Sequence, residues 1–325
     1  MRLGFSVRVL GKPGLRAYDG RRAASLPHLS VSLAHLRDVF AYLASARISM
    51  YRMAPDLAPY VTHPEWPVLH HQIDECRSEL ADAGALARAG GLRLSIHAPA
   101  HVALASADSA VVEQSTALLA VLAGLLDAMN QPAEAVIVVH SGGFAGGLHA
   151  TIGRWVATWD RLPAAVRRRL VLEHDADGLT LPDALHIHAV TGVPVVFDYL
   201  HFLLNNPEGW TVREAVEQAL ASWPADVRPK VHFASQRTEL RAVRKIDEQS
   251  GRQRWVLSPP RPGHHADYLN PWEFARFVQT SAGLRDFDVL LEAKAGDLAL
   301  LHLRADLERY TPAVCALLDP AEVAG

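Results

Sequence analysis

Val136-Ile137-Val138-Val139-His140-Ser141 is the stretch on which the fold of this chain turns. Its first four residues are all β-branched and apolar. They disfavour helix and leave no polar face, so the run predicts a parallel strand covered on both sides. Runs of the same kind recur at 2–7, 48–53, 93–98, 170–175, 193–199, 230–235 and 289–294, which makes eight. The segments between them carry helical spacing. Leu33, Leu36, Phe40 and Leu43 mark one helix, with Ser30 and Ser32 as candidate caps. A second, at 109–129, turns Val112, Leu118, Leu119, Leu122 and Leu126 inward. Eight strand–helix alternations predict an α/β chain folded as a (β/α)8 TIM barrel. An open doubly wound sheet would show a glycine-rich first turn, which is missing.

A barrel of this kind needs roughly 250 residues, so the 325 present read as one domain, 1–325, with insertions. The least regular stretch, 236–265, carries six arginines and a lysine. It is expected to be an extended basic βα loop after the seventh strand, with a short helix near 239–248. Half the chain is hydrophobic and the formal charge is -3, which does not mark a generic nucleic-acid binder. The cysteines, Cys76 and Cys315, are far apart and form no CxxC pair. A disulfide framework is not expected, and a reducing cytoplasm suits them. The first residues read as a strand rather than a signal peptide, and no uninterrupted apolar run reaches the ~18 residues of a spanning helix. No membrane and no protein partner is implied.

The strand ends carry chemistry. The third strand ends on His97, the fourth on His140, the fifth on Glu173 and the sixth on Asp198, followed by His201. The seventh gives Lys230-Val231-His232 and the eighth Glu292-Ala293-Lys294, while His63 lies just beyond the second. In a TIM barrel these ends form the active-site face. Carboxylates and imidazoles packed together there need compensating positive charge, which divalent metal ions supply. A nitrogen and oxygen donor set without thiolate suits Mn, Fe or Zn. The number of donors exceeds what one ion needs, so two or three are expected, Mn2+ foremost. A single strand-end histidine is readily a hydrogen-bonded rim residue, and His28, His35, His70, His71, His149, His186, His188 and His302 are assigned to that class. Lys230 and Lys294 are each equally readable as an ion-pair partner or a catalytic group.

Several strings together resemble the UV damage endonuclease family over most of the chain. They are Asp56-Leu57-Ala58-Pro59 through His63; Leu94-Ser95-Ile96-His97; His140-Ser141-Gly142-Gly143; Leu170-Val171-Leu172-Glu173; Asp198 with His201 and Asn205; Arg228-Pro229-Lys230-Val231-His232; and His265-Ala266-Asp267-Tyr268. The resemblance implies a barrel of the xylose-isomerase-like and AP-endonuclease-like kind. It also implies a three-metal site, commonly manganese, with ligands His63, His97, His140, Glu173, Asp198, His201, His232, His265 and Glu292. Lys230 matches the family's active-site lysine. The substrate-reading side departs from the pattern. Ala100 and His101 stand where the family typically has a damage-probing Gln-Tyr pair, and alanine can neither stack on a base nor hydrogen-bond to one.

Two functions are therefore weighed on one site. The first is a metal-dependent phosphodiesterase that nicks damaged double-stranded DNA 5′ to a lesion, with a metal-activated hydroxide as nucleophile. Glu173 and Asp198 would anchor the ions, Lys230 would help position the phosphate, and Arg237 and Arg241 would contact the backbone alongside Arg244, Lys245, Arg252 and Arg254. The bland reading of that basic cluster is a solvated surface helix, because Glu239, Asp247 and Glu248 are interleaved. The second is a repurposed multinuclear Mn or Fe enzyme acting on a small molecule or peptide, by isomerisation or oxidation, since fold does not fix function. A degenerate, non-enzymatic protein is disfavoured by the intact donor set.

Overall fold

The computed structural model describes residues 1–247 and 250–318. Ten strands follow in chain order: β1 (Leu3–Ser6), β2 (Met50–Met53), β3 (Arg93–His97), β4 (Ile137–Val139), β5 (Leu170–Glu173), β6 (Val195–Val196), β7 (Lys230–Phe233), β8 (Arg241–Ile246), β9 (Gln253–Ser258) and β10 (Asp288–Leu291). Eight of them form one parallel sheet in the order β6-β5-β4-β3-β2-β1-β10-β7. A parallel bridge between Asp198 and His232, with the His232 amide donating to the Phe197 carbonyl at 2.8 Å, joins the two outer strands. The sheet is thereby closed, as the eight expected strands required.

Alternation along each strand separates two environments. Leu94, Ile96, Ile137, Val139, Leu170, Leu172, Val195, Val231, Phe233, Val289 and Leu291 belong to the main core beneath the helices. Val136, Val138, Val171 and Val196 form a second core with Trp223 and Val227. They share the parity of His140, Glu173 and Asp198, and so line the barrel axis beneath them. On β3 and β7 the same parity is polar from the floor upward, and on β10 it is polar at the floor: Arg93, Ser95, Lys230, His232 and Asp288 are all buried. The strand reading anticipated polar residues only at the mouth. Glycine permits a close contact in this interior, since a Cβ on Gly4 of β1 would lie 2.6 Å from the Met50 side chain.

The helix expected around Leu33 spans Leu29–Ser45. Its cap is His28, whose Nδ1 accepts from the Ser30 amide, and not a serine. Ser32 is instead buried and its Oγ accepts from the Asp19 amide at 2.9 Å. The helix Ser109–Ala128 is capped by Asp108 and buries Leu119, Leu122, Leu125 and Leu126, with Val112 and Leu118 only partly covered. By length and composition alone it could cross a membrane, but those leucines are wholly withdrawn into the barrel's outer core.

The loop after β7 holds no helix near 239–248 among the described residues; Glu248 lies outside them. It forms an antiparallel hairpin, β8 with β9, in register from Arg241 opposite Ser258 to Ile246 opposite Gln253. Val243 opposite Val256, and Ile246 on the same face as Trp255, favour a ribbon, where β-branched and aromatic neighbours pack across strands.

Candidate metal centre

Glu173 closes β5 and is 1% exposed. Its Oε2 lies 3.0 Å from His97 Nε2 and 3.8 Å from His140 Nε2, and its Oε1 lies 3.0 Å from His232 Nδ1 and 3.5 Å from His201 Nδ1. Four imidazoles from four segments thus converge on one carboxylate. Three have their Nδ1 engaged outside the cluster: His97 with the Ala98 carbonyl at 2.8 Å, His201 with the His174 carbonyl at 3.0 Å, and His140 with Asp175 Oδ1 at 2.8 Å. Such outer contacts fix ring orientation, and in His97 and His140 they leave Nε2 as the inward donor atom.

Asp198 ends the sixth strand and caps the short helix Tyr199–Leu204, where its Oδ1 accepts from the His201 amide at 2.7 Å. One residue therefore orients His201 through the backbone and still has Oδ2 free. Glu292 follows β10 and pairs with Arg52 of β2. It also lies 3.5 Å from His232 Nδ1 and 3.7 Å from His265 Nδ1. The turn after His140 is held by Gly142, at φ 58°, where a Cβ would lie 2.5 Å from the Ala103 Cα. That close approach explains the paired glycines behind the histidine.

The electrostatics follow from crowding. Burial pushes the Glu173 carboxyl up, but His232 and His140 facing it, and hydrogen bonds from His232 and His97, hold it well below the ordinary carboxylate range. Burial raises Asp198 to about 6, with His201 opposing and the charges of Glu173 and Glu292 adding to the rise. For His140 burial acts downward, but Glu173 and Asp175 carry it up to about 9. His174 is pushed down to about 3 by burial and by His201; its Nε2 accepts from the Asp198 amide at 3.1 Å. Burial, then the charges of Arg52 and Arg93, drive Lys230 well below an ordinary lysine.

Two overlapping groups have donor atoms within 4.8 Å of one another: His97, His140 and Glu173, and then Glu173, Asp198 and His232. Asp198 Oδ2, His232 Nε2 and Lys230 Nζ are buried without a hydrogen-bond partner among the described residues. A carboxylate oxygen and an imidazole lone pair left so are what a cation would satisfy. The residues present fit divalent metal ions.

Of the sequence-derived candidates, the structure brings together His97, His140, Glu173, Asp198, His201, His232, His265 and Glu292. His63 lies in a cleft wall: its Nδ1 accepts from the Glu65 amide, and it lines a cleft of about 740 Å³ with Tyr18, Asp56, Tyr60 and His101. Ala100 and His101 are exposed on the loop after β3. Lys230 is fully buried beneath the cluster rather than open to the mouth. Arg237 is buried too, donating from Nη2 to the His265 carbonyl at 2.9 Å, and Arg241 is paired with Asp267. Sequence reading missed Arg52 and Asp175. The first was visible as a lone cation inside Met50-Tyr51-Arg52-Met53, and the second as a carboxylate two residues after Glu173.

A closed parallel barrel with an imidazole–carboxylate cluster at its C-terminal mouth defines a TIM-barrel protein whose clustered side chains could hold divalent cations. The profile of the family described as UV-endonuclease UvdE matches residues 19–317, and the chain belongs to that family. The UV DNA damage endonuclease of Bacillus velezensis is 29% identical over 287 residues, covering 86% of this chain and 82% of that protein. The crystal structure of SacUVDE superposes with a TM-score of 0.78 at 26% identity, covering 95% of this chain and 98% of that one. Endonuclease IV from Thermus thermophilus, at 17% identity and a TM-score of 0.55 over 95% of this chain and 100% of that one, shares the fold. Family membership supports an endonuclease function in DNA repair.

Proposed function

We propose that this chain is a metal-dependent endonuclease that nicks damaged double-stranded DNA on the 5′ side of a lesion by hydrolysis. The observation that carries the proposal is Glu173, one buried carboxylate shared by two donor groups, with unpartnered Asp198 and His232 atoms beside it. Two or three divalent ions, Mn2+ foremost, would be held by His97, His140, Glu173, Asp198, His201, His232, His265 and Glu292, with His63 at the rim. When bound, such ions supply an acidified water and Lewis-acid neutralisation of the phosphate.

The chain's own residues do the rest. Asp198 is locked by the helix it caps, so its free oxygen holds its position without reorganisation. Glu173 is kept anionic by the surrounding imidazoles. Arg52 balances Glu292 and keeps that carboxylate charged. Lys230 acts from beneath the carboxylates, because burial leaves it no open path to a phosphate. Arg237 and Arg241 shape the seventh loop, and His101 faces the substrate from the cleft.

The test is a labelled duplex carrying one defined photoproduct, incubated with Mn-loaded protein and with the Glu173→Gln variant, with metal content measured for both. Cleavage immediately 5′ to the lesion, lost together with bound metal in the variant, is the expected result. A metal-loaded protein that neither binds nor cuts the duplex would overturn the proposal in favour of a metalloenzyme acting on a small molecule or peptide.

A further inference from the structure

The β8–β9 hairpin is a two-faced ribbon standing out from the barrel, and neither the metal chemistry nor the core accounts for it. Cross-strand register puts Ala242, Leu257, Arg244, Trp255, Ile246 and Gln253 on one face. All six are exposed; Ile246, Trp255 and Leu257 show 64–66% of their surface. Leaving three large apolar side chains in water on a strand pair invites association, and soluble proteins generally avoid it. The Arg244 guanidinium lies 4.9 Å over the Trp255 ring, so cation and indole form a single amphipathic surface. The other face carries Lys245 and Arg254, and Arg252 follows the turn. Asp247, whose Oδ2 lies 3.6 Å from Arg254 Nε, and Glu248 are the two acidic residues in the sequence 241–258, against five basic ones. Positive charge is therefore concentrated here in a chain whose total is -3.

Position adds to composition. The ribbon leaves and rejoins the barrel through an antiparallel bridge between Gln236 and His265, and His265 faces Glu292 of the metal cluster. Six-residue strands extend roughly 20 Å from that root. A two-stranded ribbon of this size fits the major groove of duplex DNA.

We propose that the hairpin is a DNA-gripping arm. Arg244, Lys245, Arg252 and Arg254 contact phosphates beside the metal centre, and Trp255, with Leu257 behind it, stacks on a base exposed at the lesion. The arm supplies the stacking surface that Ala100 cannot. This rests on the endonuclease reading, and it names the surface that takes the substrate.

The experiment measures equilibrium binding of a 30-base-pair duplex, with and without one photoproduct, over a range of salt. Full-length wild type, Arg244→Ala/Lys245→Ala and Trp255→Ala are compared, with melting temperature, metal content and solution mass recorded for each. The charge variant is expected to bind both duplexes more weakly and to flatten the slope of log K against log salt by about 2, near 0.9 per lost phosphate contact. The Trp255→Ala variant is expected to lose about tenfold in affinity for the lesion duplex with the slope unchanged. Variants that match wild type while wild type binds and nicks would overturn the arm and leave the endonuclease reading standing. A wild type that neither binds nor nicks overturns both. A wild-type dimer that Trp255→Ala converts to monomer, with DNA affinity unaltered, assigns the face to a second copy of the chain and likewise overturns the proposal.

Discussion

Replacing Asp288 tests whether the barrel floor is a stability device independent of the mouth. Asp288 is 0% exposed. Its Oδ2 accepts from Arg93 Nη1 at 2.7 Å and from Arg2 Nη1 at 3.3 Å, while Oδ1 accepts from the Arg2 amide at 2.9 Å and lies 3.3 Å from Arg228 Nε. The Arg93 side chain is 1% exposed and among the described residues otherwise donates to the carbonyls of Glu134 and Pro229. Asp288→Ala strands that guanidinium without a counter-charge, which costs about 3–5 kcal/mol where a buried pair is broken from one side. A domain is stable by only about 5–15 kcal/mol, so the variant is marginal yet measurable. Removing both charges, as Arg93→Met with Asp288→Leu, leaves no fully buried stranded ion, since Arg2 and Arg228 reach solvent and Arg2 keeps Glu134, and brings stability back to within about 1–2 kcal/mol of wild type. The assay is urea denaturation followed by tryptophan fluorescence, with Mn2+ stoichiometry measured on the folded protein. Metal content is expected to be unchanged in both variants. A single variant within about 1 kcal/mol of wild type, or a pair as costly as the single, would refute the reasoning.

Asp175→Asn keeps an oxygen for the Leu179 amide, bonded at 3.0 Å, but removes the anion that orients His140; Mn2+ affinity by calorimetry should fall about 10- to 100-fold with melting temperature nearly unchanged, and an unchanged affinity excludes the orienting role. Asp19 is lowered to about 2 by its hydrogen bond to Arg21, against burial, and by amide donors from His28 and Arg21. A depressed carboxyl stabilises the fold above its unfolded value and loses that contribution as pH falls through the folded one. The stability gap between wild type and Asp19→Asn should therefore be about 2 kcal/mol near neutrality and close between about pH 4 and 2; a gap that does not change over that window rules it out.

Parallel strands buried on both sides announce themselves as apolar runs, and all eight were legible, with bounds shifted by one or two residues at most ends. The donors were legible for a related reason: His97, His140, Glu173 and Asp198 interrupt those runs just where a barrel opens. Arg52 and Asp175 were harder to see because their roles depend on partners more than a hundred and some thirty residues away, Glu292 and His140, whose facing geometry no local spacing reveals. The hairpin was misread as a helix because charge interleaving satisfies both. What decides for the ribbon is cross-strand pairing, which requires knowing that Gln253–Ser258 returns antiparallel. His63 was carried to the ligand set by motif order, and its ring lines the cleft wall with Nδ1 accepting from the Glu65 amide.

An insertion as long as the seventh loop would be expected to loosen the site it interrupts. Its root shows why it need not. The Arg237 amide donates to the His264 carbonyl at 2.7 Å and the Ala266 amide to the Ser235 carbonyl at 2.9 Å, so the two ends are pinned together. The Lys294 amide then donates to the Ala266 carbonyl at 3.0 Å, tying that root to the segment after Glu292. Once the ends are pinned, added loop length costs little, since closure entropy grows only logarithmically. The residues beyond the root are consequently free to vary in charge and shape while His265 stays against Glu292. That separation would let the surface proposed to meet the substrate vary while His265 stays against Glu292.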